Sequence, residues 1–281
     1  MAEFKKFLLA CKAKGVRIVE IPVPLIQIPH RDLISAFKET DMEVALCMFF
    51  GDINPLGDGR DEALKKLVEA AVLAKDFFKA GVVCHGITGP WAIKILGEGT
   101  MEAATDFVRK VAEIAEKYWV CFHLEPLRHI ERSDKQEDRV IGTVKNVIAI
   151  LEKVGCELLG LHLDTYHADR NEPDGLYKCI IAVKKWLTYL HVSDTFRNII
   201  GWGNIDWRKV AAALDEIGYE GPVVIEVFSE KTARVLSDIA AGHSAPQPFE
   251  VILVESVVIL QTAGIVPLPL EDQKEEAERR G

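Results

Sequence analysis

"ELLGLHLDTYHAD", residues Glu157 to Asp169, is the stretch that decides the fold of this chain. Its first part is an almost wholly apolar run, which is typical of a parallel strand covered on both faces. The run ends at Asp164, and a polar side chain at the carboxyl end of a buried strand is typical of the rim of an α/β barrel. If the chain is such a barrel, other strands should end in the same way.

Six further β-rich runs occur along the chain, and helical patterns separate them. Repeated strand–helix units of this length indicate a parallel sheet, either open and doubly wound or closed as a barrel. The runs are Val16–Val23, Glu43–Phe50, Gly81–Ile87, Trp119–Pro126, Leu187–Asp194 and Gly221–Phe228.

Two of the intervening segments have a clear helical pattern. The first ends at Gly81, a predicted helix stop, and the second begins at Thr100, a residue suited to cap a helix. The spacing of the apolar residues in the first segment predicts one buried face. That face consists of Leu64, Leu67, Ala71 and Ala74.

The residues at the ends of four consecutive predicted strands distinguish an open, doubly wound sheet from a closed barrel. No G-x-G-x-x-G or Walker sequence follows a strand, which argues against a doubly wound nucleotide-binding sheet. Active residues at several strand ends are typical of barrels. The sequence therefore predicts an α/β fold of the TIM (β/α)8 type, with one domain over residues 1–266 and a charged C-terminal tail over 267–281. The four strand-end residues are Glu125, Asp164, His191 and Glu226.

The start of the chain departs from the eight-stranded pattern. Residues 2–15 have a helical pattern where a first strand would stand, and helical patterns again follow the last predicted strand. With only seven strands predicted, the barrel is expected to lack or replace its first strand.

Composition and charge exclude two classes of partner. The 281 residues carry a formal net charge of −9 and no basic stripe, which argues against nucleic acid. No apolar run reaches the length of a membrane span. Six cysteines are scattered without a C-x-x-C pair, and no secretory signal follows Met1. These features predict reduced thiols and a cytoplasmic location.

The four strand-end residues have the chemistry of a metal site. Three carboxylates and one imidazole suit Mn²⁺, Mg²⁺ or Co²⁺ better than an ion that prefers thiolates. Buried carboxylates repel one another unless a cation holds them ionised. We therefore predict one bound divalent ion, with Mn²⁺ as the first choice and Co²⁺ or Mg²⁺ as alternatives.

Five short motifs, in register, carry a family resemblance. On these motifs the chain resembles the xylose-isomerase-like sugar phosphate isomerase/epimerase superfamily. Within it, the resemblance is greatest to the ketose 3-epimerases, the D-tagatose and D-allulose 3-epimerase group. The motifs are "LEPLRHIE" (Leu124–Glu131), "LDTYHAD" (Leu163–Asp169), "HVSDTFR" (His191–Arg197), "GWGNIDW" (Gly201–Trp207) and "VVIEVF" (Val223–Phe228).

The resemblance implies an isomerase with a sugar substrate. It implies that Glu125, Asp164, His191 and Glu226 bind the metal, and that Glu125 and Glu226 exchange the C3 proton of a ketose through a cis-enediolate. It further implies a homo-oligomer, either a dimer or a tetramer. The substrate-binding residues that it implies are Glu131, His167 and Arg197.

The other residues near the strand ends are assigned from the sequence alone. Trp91, after the strand Gly81–Ile87, is predicted to cover one face of the sugar. His123 and His162 point into the barrel below the ligands, where we predict buried, hydrogen-bonded side chains. Asp169 and Glu172 are predicted to be loop charges before the next helix.

Several other functions share this pattern. Hydroxypyruvate isomerases and inosose-processing enzymes use related chemistry. The metal-bearing subunit of C-glycoside deglycosidases also resembles this group and would require a second, unrelated subunit. A barrel that serves only as a scaffold is a further alternative. The endonuclease-IV-like group is disfavoured, because the loop after His191 contains no Asp-x-His pair.

Overall fold

The computed structural model describes residues 1–23, 28–48, 50, 53–89, 100–127, 130–132, 135–137, 140–227 and 256–266. Strands and helices alternate along most of this part of the chain. The predicted tail over 267–281 lies outside the described residues, and the single domain over 1–266 stays a prediction.

All seven predicted strands are present in one parallel sheet, and a short antiparallel pair of strands is added. Each apolar run of the sequence therefore gives a strand of the sheet. In chain order the strands are β1 (Ile18–Pro22), β2 (Glu43–Cys47), β3 (Cys84–Thr88), β4 (Phe122–Leu124), β5 (Ile130–Arg132), β6 (Lys135–Glu137), β7 (Leu159–Asp164), β8 (Leu187–Val192) and β9 (Val223–Ile225).

The main sheet is a nearly closed barrel. Its strands follow in the order β1-β2-β3-β4-β7-β8-β9, and β1 at one edge returns alongside β9 at the other. The part of the chain that the structure describes holds seven parallel strands and no eighth. This confirms the prediction of a TIM-type barrel that lacks or replaces one strand.

The chain begins with a helix, as predicted, and eight α-helices lie in the described ranges. Residues 256–262 are also helical. The helices are α1 (Ala2–Ala13), α2 (His30–Thr40), α3 (Arg60–Lys79), α4 (Thr100–Tyr118), α5 (Val144–Val154), α6 (Thr165–Asn171), α7 (Leu176–Ala182) and α8 (Trp207–Ile217).

Local sequence explains where these helices begin and end. On α3, Leu67, Ala71 and Ala74 are buried as their spacing predicted, and the chain leaves the helix through Gly81 at a φ of +79°. Thr143 caps α5 by accepting a hydrogen bond from the Asn146 N–H. Glycine suits the positive φ after a helix because it has no Cβ to clash.

Strand register sets the depth of each side chain inside the barrel. Every residue of β7 is buried, as expected of a strand covered on both faces. Asp164 pairs with His191 on the neighbouring β8, and Leu124 of β4 pairs with Leu161 of β7. The carboxyl ends of β4, β7, β8 and β9 therefore meet at one mouth.

Two predictions from composition can be compared with the structure. All six cysteines are free thiols, as predicted. Among the described residues, no helix is both long and apolar enough to cross a membrane.

Candidate metal centre

Four strand ends bring the predicted ligands together. Asp164 closes β7, His191 is the penultimate residue of β8, and Glu125 and Glu226 directly follow β4 and β9. One ligand atom from each of the four side chains lies within 4.8 Å of all the others. Binding of a metal there stays a prediction, but the geometry that it requires is present.

Burial leaves several of these polar atoms without hydrogen bonds. Glu125, Asp164 and His191 are at most 2% exposed, and Glu226 is largely buried. Glu125 Oε1, Asp164 Oδ2 and His191 Nδ1 make no hydrogen bond to the described residues. Buried polar atoms without hydrogen bonds are costly, and these oxygens and this nitrogen are the donor types that a divalent cation accepts. The residues present therefore fit the predicted ion.

In Asp164 and His191, the other polar atom of the side chain already makes a hydrogen bond. Asp164 Oδ1 accepts a hydrogen bond of 2.8 Å from the Tyr166 N–H and so caps α6. His191 Nε2 donates to Glu20 Oε2 across 3.1 Å. These bonds leave Asp164 Oδ2 and His191 Nδ1 available at the centre, in the way that outer partners orient metal ligands.

Glu20 is a site residue that the sequence patterns did not predict. It lies on β1, and its carboxylate also accepts a hydrogen bond of 2.9 Å from Thr88 Oγ1. The available signal was a carboxylate in the otherwise apolar run "VRIVEIPV" (Val16–Val23). Such a residue needs a buried partner, since an unpaired buried charge is strongly unfavourable.

The pKa values of Glu125 and Glu226 are shifted in opposite directions. Burial, with repulsion from Glu226 and Asp164, raises the pKa of Glu125 well above its ordinary value. Burial also acts to raise the pKa of Glu226, but His191 and Arg197 outweigh it and lower that pKa. Pairs of carboxyls with pKa values shifted in opposite directions are typical of acid/base sites.

His167 and Arg197 lie beside the four predicted ligands. His167 stands one helical turn after Asp164, and its Nε2 is 3.7 Å from Asp164 Oδ2 and 3.9 Å from Glu125 Oε1. The Arg197 guanidinium donates to His167 Nε2 at 2.6 Å. It also hydrogen-bonds Glu226 and lies 3.1 Å from Asp164 Oδ2. The predicted substrate-binding arginine thus contacts two predicted metal ligands directly.

Asp194, for which the sequence predicts no role, holds the loop that carries Arg197. Its buried carboxylate accepts hydrogen bonds from the N–H groups of Thr195, Gly201 and Ile205, and from Trp207 Nε1. The loop needs such an anchor, because Phe196 and Arg197 both have positive φ angles, of 62° and 55°. Residues other than glycine adopt this conformation at a cost.

The two histidines below the centre differ from each other. His123 is buried and hydrogen-bonded as predicted, donating to the His85 carbonyl at 2.8 Å and bonding Thr188 Oγ1 at 2.7 Å. The prediction for His162 was wrong in one respect. It is fully buried, yet neither ring nitrogen has a hydrogen-bond partner among the described residues.

The predictions for the remaining residues compare differently with the structure. These residues are Trp91, Glu131, Asp169 and Glu172. Trp91 lies outside the described residues, and so does the side chain of Glu131, whose backbone belongs to β5. Asp169 lies within α6 and not in a loop, because Asp164 caps a helix at once. Glu172 directly follows α6, and its Oε1 accepts a hydrogen bond of 2.9 Å from the Val144 N–H.

A family model described as the xylose isomerase-like TIM barrel matches residues 8–248 of this chain. The matched span contains all seven parallel strands and all four predicted ligands. It confirms the resemblance that the short motifs indicated.

Among the relatives that match part of the chain are two ketose epimerases. A ketose 3-epimerase from Arthrobacter globiformis is 37% identical over 100 residues, which are 36% of this chain and 34% of that protein. A D-psicose 3-epimerase from Ruminiclostridium cellulolyticum is 32% identical over 142 residues, 50% of this chain and 46% of that protein. The aligned stretches therefore span less than half of the length of these relatives.

Several solved structures are similar over nearly their whole length. One of them is the D-psicose 3-epimerase of Clostridium cellulolyticum H10 with D-tagatose, at a TM-score of 0.72 and 26% identity. The superposition covers 95% of this chain and 94% of that one.

Proposed function

Because this chain belongs to the xylose isomerase-like TIM barrel family, we propose that it is a divalent-metal-dependent sugar epimerase that inverts C3 of a ketose. The observation that carries the proposal is the convergence of three carboxylates and one imidazole within 4.8 Å at the barrel mouth. The sugar as substrate is supported by the named activities of the relatives.

The ligand set of the proposed centre is Glu125, Asp164, His191 and Glu226. Atoms that make no hydrogen bond to the described residues, one from each of the first three, support this choice. A divalent cation, when bound, supplies a Lewis acid that polarises the C2 carbonyl and stabilises the negative charge that develops on proton loss.

Glu125 and Glu226 are the proposed acid/base pair. Proton removal from C3, next to the C2 carbonyl, leaves a planar cis-enediolate that can be reprotonated on either face. The lowered pKa of Glu226 keeps it ionised and ready to take the proton. Glu125 is the proposed partner that returns a proton on the opposite face. In the reverse reaction the two residues exchange roles.

His167 and Arg197 are the proposed substrate-positioning residues. The guanidinium lies against both His167 and Glu226, so a hydroxyl bound by Arg197 is held beside the acid/base pair. Fixing the sugar hydroxyls selects which carbon loses its proton. Glu131 and Trp91 remain part of this proposal on the sequence alone.

The proposed assembly is a homo-oligomer, dimer or tetramer, in the cytoplasm. With edge strands β1 and β9 only approaching each other, a hetero-partner of the deglycosidase type is the alternative assembly. Copurification of a second, β-rich chain would favour that alternative.

The test is a panel of ketohexoses and ketopentoses with Mn²⁺, Co²⁺ or Mg²⁺ in deuterated water. Proton NMR should show loss of the C3 signal and growth of the 3-epimer for at least one sugar. A blank across the whole panel would overturn the epimerase proposal and favour the two-subunit or hydroxypyruvate/inosose alternatives. Absence of any bindable divalent ion would favour a scaffold.

A further inference from the structure

His162 is the buried polar side chain that the proposed reaction does not use. It lies on β7 two residues before Asp164, so its side chain enters the barrel on the same face, one layer deeper. Both ring nitrogens lack a hydrogen bond to the described residues although the residue is fully buried. A polar group in such a place needs a hydrogen-bond partner or a bound ion to offset the loss of hydration.

Two predicted ligands lie next to this imidazole. His162 Nδ1 is 3.9 Å from Glu125 Oε2, and the rings of His162 and His191 stand at 86° with centroids 4.0 Å apart. One ligand atom from each of Glu125, His162 and His191 lies within 4.8 Å of the other two. All three side chains are buried.

Strand register explains the closeness of Glu125 and His162. Leu124 of β4 pairs with Leu161 of β7, and Glu125 and His162 are the next residues on these two neighbouring strands. Asp164 lies two residues further along β7, and its partner is His191 of β8. Glu125 and His191 can therefore bind an ion either at the level of Asp164 or at the deeper level of His162.

We propose that Glu125, His162 and His191 form a second, inner cation position that selects nitrogen-preferring ions such as Zn²⁺. The four-residue outer position offers three carboxylates and one imidazole, whereas the inner position offers two imidazoles and one carboxylate. The first donor set suits Mn²⁺ or Mg²⁺, and two histidines with one glutamate are a common zinc set.

The inner and outer positions exclude each other. His191 gives Nε2 to Glu20, so its single remaining nitrogen can bind one ion only. Zinc is therefore expected to displace Mn²⁺ and to inhibit. This last consequence rests on the proposed function, whereas the binding of zinc does not.

The first test uses the full chain, stripped of metal and then loaded with one equivalent of Zn²⁺ or of Mn²⁺. X-ray absorption at each metal edge counts the imidazoles around the ion. We expect two imidazoles for zinc and one for manganese. One imidazole for both metals would overturn the proposal, and so would sulfur ligands to zinc, which would signal a cysteine site.

The second test compares metal affinities of matched variants by calorimetry. His162→Gln should weaken Zn²⁺ binding by at least about tenfold and leave Mn²⁺ binding within about twofold. His123→Gln is the control, because His123 is an equally deep imidazole with both nitrogens hydrogen-bonded. Its ratio of zinc to manganese affinity should match that of the wild type.

Equal loss of both metals in His162→Gln, or unchanged zinc affinity, would overturn the inner position. The imidazole count is taken on the wild-type chain, so it decides the matter even if a variant fails to fold. Neither measurement depends on epimerase activity, so a chain that fails the sugar panel can still pass or fail this test.

Discussion

Glu20 on β1 accepts a hydrogen bond from His191 on β8, with 3.1 Å between Oε2 and Nε2. The two residues are 171 positions apart, and curvature of the sheet brings them together. With Nε2 engaged, Nδ1 of His191 is left 3.2 Å from Glu226 Oε2. Glu20 therefore selects the histidine nitrogen that is offered to a cation.

Removal of this carboxylate should weaken the metal site. Glu20→Ala is expected to lower Mn²⁺ affinity by about 10- to 100-fold, because His191 loses the partner that orients its ring. Calorimetric titration of the metal-stripped protein measures the change. Glu43→Ala is the control, since Glu43 pairs with His85 at the other end of the strands. Wild-type affinity in Glu20→Ala would contradict the orienting role.

Arg197 should have opposite effects on metal binding and on catalysis. Its guanidinium lies against Asp164 and Glu226, where it repels a cation. Arg197→Met should therefore raise Mn²⁺ affinity by at least about threefold. It should also lower kcat/KM by about 100-fold, because the substrate loses its positioning group.

Calorimetry and steady-state kinetics on the same preparation measure both effects of Arg197→Met. Arg170→Met is the matched control. Arg170 stacks on Phe196, with 4.9 Å between its Cζ and the ring centroid, and makes no described contact with the predicted ligands. Weaker metal binding in Arg197→Met would show that the arginine supports the centre and does not oppose it.

Asp194 should stabilise the fold through the loop that carries Arg197. Asp194→Ala leaves its four N–H donors without their acceptor, a loss larger than the backbone strain relieved at Phe196 and Arg197, so unfolding free energy should fall by about 2–3 kcal/mol. Urea unfolding of the metal-stripped protein measures this loss. A change below about 0.5 kcal/mol would show that Asp194 does not stabilise the fold through this loop.

The stabilisation by Asp194 should depend on pH with a definite sign. Burial acts to raise the pKa of Asp194, but hydrogen bonds from Trp207 and the loop N–H groups outweigh it and lower that pKa. The folded state therefore binds this proton less readily than the unfolded state. The stabilisation is full above the ordinary Asp pKa of about 3.9 and is lost as pH falls below it. The stability gap to Asp194→Asn should narrow over the same range.

Much of the fold was predictable from local sequence. Seven apolar runs gave seven parallel strands because a strand covered on both faces needs apolar side chains throughout. Asp164 and His191 could be placed at the mouth because parallel strands carry their carboxyl ends to the same side. The helical start, α1, followed from the same patterns.

The rest depends on contacts that local sequence does not encode. Glu20 meets His191 only through the return of β1 towards the opposite edge of the sheet. Asp194 binds backbone N–H groups, which every residue except proline carries. His162 was expected to find a hydrogen bond because most buried polar groups do. At its depth it meets the rings of His191 and Tyr189 instead.

Solvent deuterium at C3 of the product tests the central claim most directly. With Mn²⁺ bound, the wild type should convert a ketose into a 3-epimer that carries deuterium at C3, since a carboxyl returns a solvent-derived proton. Glu125→Gln and Glu226→Gln, each checked for metal content, should lose turnover by at least about 100-fold. A deuterium-free epimer from the wild type, or near-normal epimerisation by either variant, would contradict the two-carboxylate mechanism.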